Sequence, residues 1–212
     1  MRMNQFKVLV IACLFSLMPF LGYTQNFDVN LLKSINQAGS DFKDDYSKTV
    51  SNTVKIYSLA APTGIFVAGL LKHDKKLQKE GAFMMAGFIG STIITQGMKR
   101  IIKRDRPYLT HPFIVKRVEA DGYAMPSGHT SSAFYTSTYL CVLFPKWYVI
   151  VPASLYAVSA GYARMYQGVH YPTDVFAGAV LGAGSAWLSQ KASKWLEKRS
   201  AGKNLQTSLV PF

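Results

Sequence analysis

The sequence predicts an all-α fold: a helical bundle of five core apolar helices that span a membrane, preceded by an N-terminal signal or first transmembrane segment. Three observations predict it. Apolar stretches recur at Val54–Leu71, Gly81–Met98, Ser131–Pro145, Trp147–Ala163 and Thr173–Leu188. Each is roughly 15–18 residues, or about 23–27 Å of helix at 1.5 Å per residue, slightly short of a ~30 Å hydrocarbon core. The cations between them alternate: Lys72, Lys75, Lys76 and Lys79 follow the first stretch, Lys146 the third, and Lys191, Lys194, Lys198, Arg199 and Lys203 the fifth. If the helices alternate in direction, these sets fall on one side together with Arg2 and Lys7, the positive-inside pattern. Finally, Ala82, Ala86 and Gly90 at four-residue steps, and Gly178-x-x-x-Gly182, form small-residue ladders suited to close helix packing. Buried helices of a soluble all-α protein are the rival reading.

The segments follow in order. Arg2 and Lys7 precede the apolar run Val8–Leu21, so residues 1–24 read as a signal peptide or an uncleaved first helix. The apolar run before Cys13 is too short for a good lipoprotein box. Residues 25–53 are mixed in charge, with Leu31, Leu32 and Ile35 at helical spacing, and read as an amphipathic connector. Residues 54–190 form the core and 191–212 a basic tail. At 212 residues the chain is one domain. The 24 Lys+Arg outnumber the 11 Asp+Glu, a net charge of +13 that calls for anionic partners. The basic residues cluster at helix ends without a continuous stripe, which argues against nucleic acid. Cys13 and Cys141 lie in apolar runs, with neither a disulfide framework nor metal-ligand spacing.

Three polar segments on the opposite side carry the chemistry. In the run Lys99–Pro107, Lys99, Lys103 and Arg106 share a face if the chain is helical there, and Pro107 ends the helix. Alone, this run reads equally as a solvated basic cap or a headgroup-binding stripe. In Pro126-Ser127-Gly128-His129, Gly128 lets backbone N–H groups approach an anion, Ser127 offers a hydroxyl, and His129 can exchange a proton with an anion oxygen. An ordinary turn with an incidental histidine fits as well. In the third segment Arg164 stands at a helix end and His170 just before the next. Asp174, four residues on, could fix the His170 tautomer or merely stabilise a helix N-terminus.

Together, in order and spacing, these segments resemble the Lys-x6-Arg-Pro, Pro-Ser-Gly-His and Ser-Arg-x5-His-x3-Asp signature of the type 2 phosphatidic acid phosphatase (PAP2) superfamily. The resemblance covers about residues 54–190, and Tyr171–Gly178 is closest to the membrane lipid phosphatase branch. Ala163 departs from the pattern, standing where the family has serine. The resemblance implies a hydrolase in which His170 attacks phosphorus to give a phosphohistidine. Asp174 orients His170, and His129 protonates the leaving oxygen. Lys99, Arg106, Ser127, Gly128 and Arg164 hold the phosphate, with no cofactor and no metal.

It also implies a lipid phosphate or diphosphate substrate at the outer face of the inner (cytoplasmic) membrane in a multi-pass protein. Candidates are phosphatidic acid, phosphatidylglycerophosphate, a polyprenyl diphosphate or lipid A. Lateral access from the bilayer is expected, because the Tyr108–Gly122 linker is too short for a lid domain. Alternatives are a soluble periplasmic acid phosphatase, a vanadium haloperoxidase, and a non-catalytic transporter or anionic-lipid-binding protein.

Overall fold

The computed structural model describes residues 20–208. The signal reading of the N-terminus, with Arg2, Lys7 and Cys13, concerns residues that fall largely outside that range. The helices are α1 (Phe20–Gln37), α2 (Asp41–Leu71), α3 (Lys75–Ile102), α4 (Pro107–Thr110), α5 (Gly128–Leu143), α6 (Trp147–Tyr166) and α7 (Pro172–Ser208). Among the described residues there is no strand. The five apolar stretches map onto α2, α3, α5, α6 and α7, and polar turns extend α2 at its N-terminal end and α7 at its C-terminal end. Residues 41–52 form the first three turns of α2.

Local chemistry sets the boundaries. The Ser40 side chain accepts the Lys43 N–H and starts α2. Asp74 does the same for α3, accepting from Lys76 and Leu77. Helix α3 stops at Ile102 because Lys103 turns into the left-handed region, φ 51°. Pro107 therefore does not end α3. It opens α4, where a missing N–H costs nothing. The expected Lys99–Lys103–Arg106 face is accordingly split: Lys103 is exposed while Arg106 is buried.

Small side chains let the helices approach. Val50 and Val54 of α2 meet Ala133 of α5 and Ala157, Ala160 and Ala163 of α6. Lower in the bundle Ile65, Met84, Tyr135, Tyr139 and Ala186 unite α2, α3, α5 and α7. A Cβ on Gly178 would stand 2.6 Å from the Ser127 carbonyl, so only glycine lets α7 lie this close to α5. Gly182 meets the Ser131 carbonyl in the same way.

The other ladder does not pack. Ala82 and Ala86 are exposed, and a Cβ on Gly90 would meet open space. The close contact of α3 is instead at Gly81, against the Phe66 backbone. Leu32 of α1 packs on Ile114 and Tyr171, pinning α1 beside the loop that precedes α7.

Large apolar side chains face outward around the middle of the bundle. Examples are Ile56 and Leu59 on α2, Ile93 on α3, Leu155 and Val158 on α6, and Val180 on α7. By length and composition alone, α2 is long and apolar enough to cross a membrane.

Candidate active site

The C-terminal ends of α3 and α6 and the N-terminal ends of α5 and α7 converge on a cavity of about 430 Å³. Lys99, Arg106, Gly128, His129, Arg164 and His170 all line it. Ser127 and Asp174 stand directly behind, each fully buried. A backbone bond from the Ser127 N–H to the Asp174 carbonyl, 2.9 Å, joins the start of α5 to the start of α7.

The cations are held by backbone carbonyls yet keep donors in reserve. Lys99 Nζ donates to the Tyr123 carbonyl at 2.6 Å and to Ala124 at 3.3 Å. One of its three ammonium protons is left over. Arg106 clasps the same loop from the other side, through Nε to Gly122 at 2.9 Å and Nη2 to Asp121 at 2.6 Å. Its Nη1 reaches the Val169 carbonyl at 3.0 Å and lies 3.5 Å from His170 Nε2.

Arg164 is anchored by one bond, Nη1 to Gln167 Oε1 at 2.8 Å, and its buried Nε has no partner. Buried guanidinium donors without acceptors are uncommon. Here the residue that carries one lines a cavity shared with Lys99 and Arg106.

Burial among like charges tunes these groups, which lie beyond the apolar stretches. Desolvation, aided by Arg106, lowers the Lys99 ammonium to about 8. The same two causes bring Arg164 down to about 10. Burial first, then the Arg164 charge, lowers His129 to about 3. His170 is lowered in the same direction for the same reasons. Both imidazoles are therefore neutral in the empty cavity at neutral pH.

His170 presents two different nitrogens. Its Nε2 lies 3.5 Å from Arg106 Nη1, which can only donate, and this contact suits a lone pair on Nε2 with the hydrogen on Nδ1. Nδ1 points toward Asp174 Oδ2, 3.7 Å away, and has no hydrogen bond in the empty site. That is too long for a bond and close enough to become one with a small shift.

Ser127 precedes the first turn of α5 without capping it, and its Oγ accepts from Thr130 at 2.9 Å. Its own hydroxyl hydrogen remains available. A Cβ on Gly128 would meet only a Thr95 methyl carbon, 3.9 Å away, so the protein leaves this space open beside the cavity.

Three residues essential to this geometry had no assigned role in the sequence. Arg104 donates through Nη1 to Asp174 Oδ1 at 2.7 Å and through Nη2 to Asp28 Oδ2 at 2.8 Å. Gln167, fully buried, ties Arg164 to α2 by accepting from Ser51 and donating to the Ser47 carbonyl. Arg104 lay inside a basic run, Gln167 among the variable positions of the third motif, and Asp28 in the connector. None had a sequence signal of its own.

Among the described residues no three His, Cys, Asp or Glu side chains gather as a metal site. The cavity's donor set is cationic and suits an anion.

A second recess of about 250 Å³ adjoins the first at Gly128 and His129. Its walls are mostly apolar or weakly polar: Val54, Phe88, Thr92, Thr95 and Ser132, with Lys55 at its edge.

Comparison with known proteins follows the same lines. The chain is 31% identical over 124 residues to an undecaprenyl-diphosphatase of Sulfolobus acidocaldarius, covering 58% of this chain and 60% of that protein. It is 33% identical to the lipid A 4'-phosphatase of Bacteroides thetaiotaomicron over 43% of this chain and 41% of the other. These matches span about two-fifths to three-fifths of the relatives' own lengths.

The Aquifex aeolicus LpxE crystal structure superposes with a TM-score of 0.65 at 24% identity, over 78% of this chain and 95% of that one. A transmembrane PAP2-type phosphatidylglycerolphosphate phosphatase from Bacillus subtilis gives 0.67 at 22% identity, over 81% and 87%. These two likenesses concern the fold. The PAP2 superfamily signature matches residues 81–198, which carry the three motifs and four of the five long helices, and the chain belongs to that superfamily.

Proposed function

We propose that the chain hydrolyses the phosphate monoester or diphosphate of a membrane lipid through a phosphohistidine at His170. One observation carries this reading above the others: Arg164, whose buried Nε has no partner, shares a cavity with Lys99, Arg106 and two neutral imidazoles. A phosphoryl group needs several fixed donors on its non-bridging oxygens and a nucleophile in line. His170 Nε2 attacks phosphorus while the bond to the leaving oxygen breaks, and Asp174 accepts from Nδ1–H as the ring becomes cationic. His129 gives its proton to the leaving oxygen. It then takes one from the water that attacks phosphorus, and the P–N bond breaks. Because burial and the Arg164 charge keep His129 neutral, its proton arrives with the substrate, whose negative charge offsets the surrounding cations. Ser127 and the Gly128 N–H complete the cradle.

Two features favour a lipid. The apolar recess meets the cationic cavity at His129, the group assigned to the leaving oxygen, so a hydrocarbon-bearing leaving group has a path outward between α2 and α3. The outward-facing apolar belt exceeds what a soluble surface of this size carries as scattered side chains.

At the end of the bundle away from the cavity, the Lys191 ammonium lies 3.7 Å over the Trp187 ring, and exposed Trp147 follows Lys146. Aromatic residues beside cations suit a membrane interface, and lysines there suit the cytoplasmic side. The cavity then opens on the extracytoplasmic face of the inner membrane. The named relatives act on undecaprenyl diphosphate and lipid A, and both fit this reading.

The test is phosphate release from a panel of phosphatidic acid, phosphatidylglycerophosphate, polyprenyl diphosphate and lipid A, using detergent-purified protein with and without EDTA. Activity on at least one lipid, indifferent to EDTA and lost at least a thousandfold in His170→Ala, is expected. Activity surviving in His170→Ala overturns the mechanism. Release of the protein from membranes by an alkaline carbonate wash overturns the location and favours the soluble acid phosphatase.

A further inference from the structure

The geometry points to Asp28 and Arg104 as a pair of positioning residues that holds Asp174 in the orientation His170 needs, making α1 part of the catalytic assembly. Asp28 lies in the middle of α1, well before residue 81 where the superfamily match begins. It is 2% exposed, which for a carboxylate demands strong partners. Oδ1 accepts the Thr173 N–H at 2.9 Å, and Oδ2 takes the Thr173 hydroxyl and Arg104 Nη2. Thr173 directly precedes Asp174. Arg104 Nη1 in turn reaches both Thr173 Oγ1, at 2.6 Å, and Asp174 Oδ1, at 2.7 Å. The guanidinium lies 4.0 Å over the Tyr171 ring, which fixes its plane.

The arrangement divides one arginine between two carboxylates. A guanidinium facing a single carboxylate tends to engage both oxygens at once. Here Asp28 occupies the second nitrogen, so Arg104 claims only Oδ1 of Asp174. Oδ2 is left to the Tyr171 N–H, at 2.8 Å, and to His170 Nδ1 opposite it. Asp28 also balances the arginine's charge, leaving the Asp174 charge for the imidazole. Without Asp28, Arg104 is free to take Asp174 with both nitrogens and turn Oδ2 away from His170. Neither Asp28 nor Arg104 lines the phosphate cavity, so their influence passes through Asp174.

The inference rests on His170 as nucleophile, and the experiment has one arm that needs no turnover. Nitrogen-15 NMR of histidine-labelled full-length protein in detergent reads the His170 tautomer. Only His73, His111, His129 and His170 contribute, and His170→Gln assigns its signal. Wild type is expected to hold the hydrogen on Nδ1. Asp28→Asn is expected to mix the two tautomers and lower kcat about ten- to a hundredfold, with KM changed less than twofold. Asp28→Glu restores most of both.

In a double-mutant cycle, Asp28→Asn is expected to cost nothing further in an Arg104→Gln background. An unchanged tautomer in Asp28→Asn overturns the inference. So do losses that multiply in the double variant, or a lowered thermal midpoint with unaltered kcat per folded molecule. If wild type hydrolyses no lipid in the panel, the proposed function fails while the tautomer comparison still decides this point.

Discussion

The two ends of the bundle are both rich in lysine and arginine, and they use them in opposite ways. At the far end, around the α2–α3 turn and along the middle of α7, Lys72, Lys75, Lys76, Lys79, Lys191 and Lys194 are exposed and point outward. The one buried ion near them, Glu80, is satisfied by neutral donors, the Tyr139 hydroxyl at 2.9 Å and the Ser193 hydroxyl at 3.2 Å. At the cavity end Lys99, Arg106 and Arg164 turn inward and crowd each other, the first two held by backbone carbonyls and the third by Gln167, while Arg100 and Lys103 stay exposed. What separates a site from a charged surface is therefore the desolvation of its cations and the donors they leave unspent.

Arg164→Ala breaks that comparison most sharply. Loss of a buried donor set aimed at the phosphoryl oxygens is expected to lower kcat/KM about a hundred- to a thousandfold, whereas Lys79→Ala or Lys194→Ala stays within twofold of wild type. Steady-state kinetics on the best lipid substrate check both. A comparable loss from either far-end lysine would erase the distinction.

The ammonium of Lys99 sharpens it. Since kcat/KM reports the free enzyme, the profile is expected to fall as pH rises through about 8, where Lys99 loses its proton. Lys99→Arg, which keeps its charge, moves that limb upward. A limb unmoved by the substitution assigns it to another group.

A separate effect is on stability. Unfolded His129 has its ordinary value of 6.5, but folded it is lowered to about 3. Below pH 6.5 the unfolded chain takes a proton that the folded one refuses. Stability is thus full above 6.5 and declines by about 1.4 kcal/mol per pH unit as pH falls toward 3. Thermal midpoints in detergent between pH 7 and pH 4 read this. His129→Gln is expected to flatten the slope, as is bound inorganic phosphate, whose charge raises the imidazole.

Much of this was legible in the sequence for identifiable reasons. The five long helices leave continuous apolar runs, and the charged donors and imidazoles of the cavity sit in three short segments with fixed internal spacing, although the 119–122 stretch that also lines it carries no such pattern. The caps at Ser40 and Asp74 emerged only in the structure, as did the left-handed turn at Lys103, since lysine carries no preference for it. The supports behind the cavity were invisible. Asp28 meets Arg104 across 76 residues and Thr173 across 145, and single polar contacts between distant helices leave no periodic trace. The ladder of Ala82, Ala86 and Gly90 misled for a related reason. Small residues permit close packing without saying which face a partner will use.

The glycine contacts of α7 against α5 have a consequence for how such a protein can diversify. His129 rides on α5 and Asp174 on α7, and Gly178 and Gly182 set the spacing of the two rods together with the Ser127–Asp174 backbone bond. Any larger side chain there spreads the acid from the nucleophile's support, so drift at these positions is penalised in turnover as well as in folding. The second recess is walled largely by α2 and α3, whose side chains can change without touching that spacing. If it receives the leaving group as proposed, lipid preference can drift through Val54, Phe88 and Thr92 while Lys99, on the same α3, stays fixed with the reaction.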